Sequence, residues 1–458
     1  MNKENKKKQK TKTVVSMPVV NAYAAGIDIS DTEHVVALPE GVAEKRVYAF
    51  GTMTCDLYAL ADLLLQCEID TVAMESTGVY WKPLFSVLVQ KGLEVYLVNA
   101  AHVKNVTGRK DDENDALWLQ KLHSCGLLKT SYLPDDEQEA LRSIVRYRKT
   151  LVQDSSRFIN RLQKVLELMN VKFHTIISDI TGQTGCKVIE AIIAGERNAK
   201  NFLPLIDYRV KAKPELIVQS LEGTWRPEQL FLLKEAYEMY QHYRLRISGC
   251  DAEIEKHLQC LEARSNEGTI STQPATEMPP APAIEKKKDK NQPKMNVRNY
   301  LQKIHGVDVL AIYGLGDIGG LELLAETGTD LSKWKNEKHF TSWLNVSPNN
   351  KISGGKLLSS RIRKNRQSTA GQALRTAANA VRNSHHWLGD YFRRIRSRGG
   401  EQYAIVATAN KIAKIYYKMV RYKQEFKPVQ TDEYKAKYRQ KKIAYLERQL
   451  KNLKTETA

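Results

Sequence analysis

"AYAAGIDISDTEHVVALPEGVAEKRVYAF", residues 22–50, holds three short apolar runs, each closed by turn-forming residues. "AYAAGIDIS" reads as a strand, "EHVVAL" as a second and "KRVYAF" as a third. Asp, Pro and Gly separate them, residues that supply the bends a strand cannot make. One residue does not fit a purely packed meander. Asp28 lies between Ile27 and Ile29, and aspartate is depleted from strands, so its presence there needs a reason beyond packing.

Outward from the meander, the pattern alternates between periods. Leu57, Leu60, Leu64 and Cys67 share one helical face. "TVAMES" is then a strand, "YWKPLFSVLVQKG" a helix stopped at Gly92, "LEVYLVN" a strand and "DALWLQKLHSCG" a helix. The order βββαβαβα predicts a mixed α/β sheet opened by a meander and covered by helices, in which the first and fourth strands can lie side by side.

Beyond this the chain changes character. Leu141, Ile144, Leu151, Phe158, Leu162, Val165 and Met169 repeat every three or four residues, with Arg148 and Ser155 as polar breaks. A second seam runs through Leu230, Leu233, Tyr237, Tyr240, Ile247, Ile254, Leu258 and Leu261. Two long helices follow, paired with each other, paired across a dimer, or packed in an ordinary core. The expected layout is a basic disordered arm at 1–20, a catalytic α/β domain at 21–130 and a helical or coiled-coil segment at 131–265. A Pro/Lys-rich linker at 266–296, a mainly α-helical C-terminal domain at 297–422 and a basic helical tail at 423–458 complete it.

Composition narrows the partners. Lys and Arg number 71 against 52 acids in 458 residues, a formal net charge of +19, which favours a polyanion. No apolar stretch approaches the ~18 residues of a membrane span, so no membrane is expected. "MNKENKKKQKTK" lacks the apolar core of a secretory signal. The six cysteines form no C-x-x-C pair, against a zinc site or disulfide framework and in favour of a reducing cytoplasm.

Against that basic background, "GRKDDENDALW" (108–118) crowds Asp111, Asp112, Glu113 and Asp115 together. Asp112 and Asp115 are three apart at a helix start and share a face. Acids in a first turn also favour the helix dipole, or can cap. Glu75 adds weight to a functional reading, because it ends the strand "TVAME" just before a Ser-Thr-Gly turn. If the first and fourth strands are adjacent, Asp28, Glu75 and the helix start converge on one edge. Such acids repel unless divalent cations neutralise them, and Mg²⁺, or Mn²⁺ on the same ligands, serves phosphoryl transfer this way.

Near the other end, "IYGLGDIGGLELLAETG" sets Gly314 and Gly316 in a tight turn before a helix, similar to a helix-hairpin-helix that meets phosphate through backbone N–H groups, or simply a tight loop. From Lys351 to Arg398 the sole acid is Asp390, against twelve Lys and Arg that include Lys351, Lys356, Arg361, Arg363, Lys364 and Arg366. A one-sign stretch of that length is a phosphate track. Ser353, followed by Gly354 and Gly355, lies inside it. By residue type alone it is a turn serine, and no neighbouring His or Asp makes a triad.

"GIDIS", "MESTGVYW", "GRKDDENDALWL" and "SPNNKISGGKLLSSRIRK" together resemble the DEDD transposases of bacterial insertion sequences, across about residues 22–170 and 297–420. The resemblance implies a RuvC-like domain of ribonuclease H fold, with Asp28, Glu75, Asp112 and Asp115 as the four metal-binding acids. Asp111 stands where that family often has Ser or Thr. It further implies that Ser353 is the catalytic nucleophile, forming a phosphoserine link to DNA at element ends and target. A structured guide RNA from the element's flank, a dimeric or tetrameric assembly and a bacterial cytoplasmic setting belong to the same implication. A metal-dependent, structure-selective nuclease using water would employ the same acids with Ser353 only touching phosphate. A nucleic-acid-binding scaffold with a degenerate site is the third reading.

Overall fold

The computed structural model describes residues 18–76, 78–98, 112–267, 290–363 and 368–456, which form two compact units divided between Leu133 and Pro134. In the first unit, β1 (Ala24–Ile29), β2 (Glu33–Ala37) and β3 (Val47–Gly51) form the antiparallel meander. Helix α1 (Thr54–Gln66) leads to β4 (Thr71–Glu75), and α2 (Trp81–Gln90) to β5 (Glu94–Val98). β4 joins β1 in parallel and β5 joins β4 in parallel, so the sheet order is β3-β2-β1-β4-β5. Helix α3 (Asp112–Ser124) completes the unit. The mixed sheet with two antiparallel and two parallel joins is consistent with a RuvC-like fold.

Both faces of the sheet are covered, which explains why β1 and β4 are apolar almost throughout. On one face Ile27, Val36, Val72 and Met74 bury against Leu57, Leu60 and Leu64 of α1 and Leu84 and Leu88 of α2. On the other, α3 packs Ala116 on Val35 and Ala37, and Leu119 on Ala73 and Val98. Gly26 is the contact that seats α3: a Cβ there would come closer than 3 Å to the backbone of Ala116 and Gln120.

The second unit is mainly helical. Helices α4 (Asp136–Leu168) and α7 (Pro227–Glu267) pack against each other within the chain. They run antiparallel, since Glu137 pairs with Arg264, Arg148 with Asp251, and Phe158 stacks near Tyr243. The polar breaks turn out to be part of the seam. Arg148 and Asp251 are both buried, and Arg148 Nε donates to Asp251 Oδ1 at 2.5 Å. Between the long helices lie α5 (Gln183–Ile193) and α6 (Pro214–Ser220), whose Ile189 and Ile217 help close one end of the pair with Phe173 and Phe202.

Described structure resumes at Lys290, and the chain is pinned there at once. Lys290 Nζ contacts Asp179, while its carbonyl and that of Asn291 accept from Arg244 and Arg148. Helices α8 (Val297–His305), α9 (Asp317–Thr327) and α10 (Glu337–Trp343) precede a hairpin of β6 (Asn349–Ser353) and β7 (Lys356–Arg361). Helices α11 (Thr369–Ala380), α12 (Trp387–Gly399), α13 (Glu401–Tyr422) and α14 (Thr431–Glu456) follow. Buried Tyr416 and Tyr417 of α13 pack with Phe340 of α10 as the centre of this region. Residues 1–17 and 268–289, including most of the expected arm and linker, lie outside the described residues. No helix among the described residues is long and apolar enough to cross a membrane.

Candidate active site

The parallel register of β1 and β4 places Ile27 beside Met74. One step past this last ladder pair, Asp28 and Glu75 follow on the two neighbouring strands. Side chains alternate along a strand, and Ile27 and Met74 face α1 and α2, so Asp28 and Glu75 face the α3 side. Both are half-buried at the carboxyl end of their strands.

Helix α3 brings its first turn to that same end. The Asn21 side chain donates to the His123 carbonyl, Gln120 donates to the Ala24 carbonyl, and Gly26 sits under Ala116. The helix therefore runs antiparallel to β1. Four residues back from Ala116 is about 6 Å along the helix, and two residues on from Gly26 is about 6 Å along the strand. Asp112 thus begins α3 at the level of Asp28. Asp115 is exposed on the same turn, and the side chain of Asp112 lies outside the described residues.

Four oxygen-only carboxylates suit a hard divalent cation. Asp28 and Glu75 fit such an ion by register and by facing. Among the described residues no group of three or more His, Cys, Asp or Glu is arranged as a metal site. The pair is assembled, and the other two acids are delivered to its end of the sheet by α3.

His123, near the far end of α3, is buried, with Nε2 2.9 Å from Thr71 Oγ1 on β4. Burial lowers its pKa to about 4, so the ring is neutral at physiological pH. It ties α3 to the strand that ends in Glu75.

In the second unit Ser353 ends β6, paired with Lys356 across a two-residue turn. Gly354 and Gly355 have φ of +55° and +76°, a pair of left-handed residues that suits a tight hairpin turn and that only glycine adopts freely. All of β6 is exposed, Ser353 included, and Lys351, Lys356, Arg361 and Arg363 are exposed beside it. The base of the ribbon is fastened by Asn345, whose side chain donates to the Arg363 carbonyl and accepts from the Arg363 N–H. Ser347 is bound by Thr341 and Asn410, a structural use. Lys364 and Arg366 lie outside the described residues.

The basic track divides by role. Arg375 holds the Asn345 carbonyl, Arg382 pairs with Glu401, and Arg393 binds Asp390 and two carbonyls. These arginines build the fold, whereas the hairpin cations face solvent. Gly314 also has a structural explanation: its φ is +84° and a Cβ would strike the Ala377 carbonyl of α11 and Val381 just past its end. Gly316 caps α9, whose first residue Asp317 accepts a hydrogen bond from Gln292. An acid already occupies that helix start.

Sequence reasoning did not find the Arg148–Asp251 pair or the role of His123. The only signal for either was a polar residue at a position whose neighbours are apolar.

Two family models match the chain. A DEDD transposase model of the IS110 type matches residues 25–171, spanning β1, β4 and α3. A model described as "Transposase IS116/IS110/IS902 family" matches residues 308–393, spanning the hairpin with Ser353. No curated protein matches. Use of a divalent metal ion is a general property of the first of these families. With its acid-bearing sheet in one match and its serine hairpin in the other, the chain belongs to the IS110-type DEDD transposases, enzymes that recombine DNA.

Proposed function

We propose that the protein excises and inserts a mobile element by a serine-linked route, with Ser353 as nucleophile. The observation that carries this is the presentation of Ser353: a hydroxyl at the tip of an exposed ribbon, with exposed Lys356 paired across from it, Lys351 two residues back on its own strand, and exposed Arg361 and Arg363 at the ribbon's base. Lys351 and Lys356 hold the phosphates beside the scissile one, and Arg361 and Arg363 hold the backbone further along. The Ser353 oxygen forms a bond to phosphorus as the bond from phosphorus to the sugar oxygen breaks. The serine proton is released, and the sugar oxygen leaves as a hydroxyl. The phosphodiester's energy is kept in the phosphoserine, so reversal onto a new sugar hydroxyl rejoins the strands.

Asp28, Glu75, Asp112 and Asp115 would hold Mg²⁺, or Mn²⁺. Such an ion polarises a phosphate and stabilises a departing oxygen. The protein's own part is to fix two of these acids on the central strands of a packed sheet. Family membership further supports guidance by a structured RNA from the element and assembly as a dimer or tetramer.

A denaturing gel tests the proposal with element-end DNA, Mg²⁺ and RNA transcribed from the element's flanks. Wild type should yield a covalent protein–DNA adduct that Ser353→Ala and Asp112→Asn both lose. Cleavage without adduct, retained in Ser353→Ala and lost in Asp112→Asn, would instead identify a hydrolytic nuclease.

A further inference from the structure

A second concentration of cations lies away from Ser353, where the C-terminal helix α14 crosses α12 and α13. The three helices enclose a groove of about 650 Å³. Tyr391 of α12 and Tyr434, Tyr438 and Tyr445 of α14 supply its rings. Arg394 and Arg398 of α12, Lys411 of α13 and Lys442 of α14 supply its charge. Among the described residues every lining side chain is Tyr, Arg or Lys, with no carboxylate. Two acids adjoin lining residues in sequence, Asp390 before Tyr391 and Glu433 before Tyr434; Asp390 is engaged by Arg393 and Lys435.

The rings and cations are interleaved. The Arg394 guanidinium lies 4.2 Å from the Tyr438 ring centre and 5.3 Å from those of Tyr391 and Tyr434. Arg398 donates to the Tyr438 hydroxyl at 2.6 Å. Two polar groups in this cluster, Arg394 Nε and the Tyr434 hydroxyl, are buried without a hydrogen-bond partner. Such orphans carry a cost that a bound polar group would remove. On α14, positions 434, 438, 442 and 445 fall along one face over about 16 Å.

We propose that this groove binds unpaired nucleotides, with bases stacked on the tyrosines and phosphates held by Arg398, Lys411 and Lys442. Stacking on aromatic rings beside a cationic track is how single strands are held without sequence preference, and paired bases do not offer their faces in this way. RNA and single-stranded DNA share the required chemistry. The groove stands apart from the nucleophile: all but Tyr391 of its lining falls beyond the region matched by the family models.

The test uses the full chain and fluorescence anisotropy with a labelled single-stranded RNA, the same sequence as single-stranded DNA, and its duplex. Tyr445 suits substitution because it is 59% exposed and its hydroxyl accepts from Gln449 of the same helix. Tyr445→Ala should weaken single-strand binding by about fivefold or more, with Tyr445→Phe restoring it. Lys442→Ala should reduce the salt slope for single strands by about 0.7. Duplex affinity should change less than about twofold, since paired bases are not stacked there. The stronger-bound of the two single strands identifies the natural ligand. Ser353→Ala should leave this binding intact, which separates the groove from the strand-transfer reading. Unchanged single-strand affinity in both variants, or a parallel loss on duplex, would overturn the proposal.

Discussion

The two chemical regions of this transposase are built in opposite ways. Asp28 and Glu75 stand on the central strands of a sheet buried on both faces, where Ile27 and Met74 have no exposed surface. Ser353 stands on a two-stranded ribbon whose Ile352, Leu357 and Leu358 are 65%, 58% and 68% exposed. The proposed metal ligands need fixed geometry, and a packed sheet provides it. The proposed nucleophile needs reach to meet DNA, and an exposed ribbon provides that. The difference predicts that substitutions at the ribbon and at the sheet will separate activity from stability.

Ser353→Ala carries the largest expected effect. Strand transfer should fall by more than about a thousandfold, while the melting temperature stays at the wild-type value. A variant that loses both would show that the ribbon is part of the folded core. Gly26→Ala should do the opposite kind of damage. Its Cβ collides with the backbone of α3, so we expect a loss of about 3 kcal/mol in urea unfolding together with lost cleavage, as α3 carries Asp112 and Asp115. Retained stability would mean that α3 is not seated as described.

Acid gives a smaller and graded effect. The His123 pKa is depressed to about 4 in the folded chain against an ordinary value of 6.5. Between those values the unfolded chain binds the extra proton, so stability falls as pH drops from 6.5 towards 4, by up to about 3 kcal/mol. His123→Gln should flatten that part of the pH–stability curve, and an unaltered slope would remove His123 as its source. Least of all, Leu358→Ser on the ribbon should change stability by less than about 0.5 kcal/mol. A clear drop in melting temperature there would mean the ribbon is covered in solution.

The same contrast explains what could be read from the sequence. The sheet's strands and helices were legible because a core imposes periods on the residues that face it, and Asp28 was conspicuous for breaking one. The ribbon left no such trace. "NNKIS" and "KLLSSR" are exposed on both faces, so no alternation marks them as strands. The glycines were visible, but not that both take positive φ to close a two-residue turn. Arg148 looked like an interruption of a seam because its partner, Asp251, lies 103 residues away. The tyrosine–arginine groove is hidden for the same reason: α14 alone reads as a basic helical tail, and the ring–cation stack exists only once α12 is against it.

The pinning of Lys290 has a practical consequence. Helix α7 ends at Glu267, yet Lys290 is held by Arg244, about 35 Å back along that helix. The carbonyls of Lys290 and Asn291 are thus gripped by arginines of both long helices, so loss of Arg244 or Arg148 would loosen the entry to α8 together with the helix pair itself.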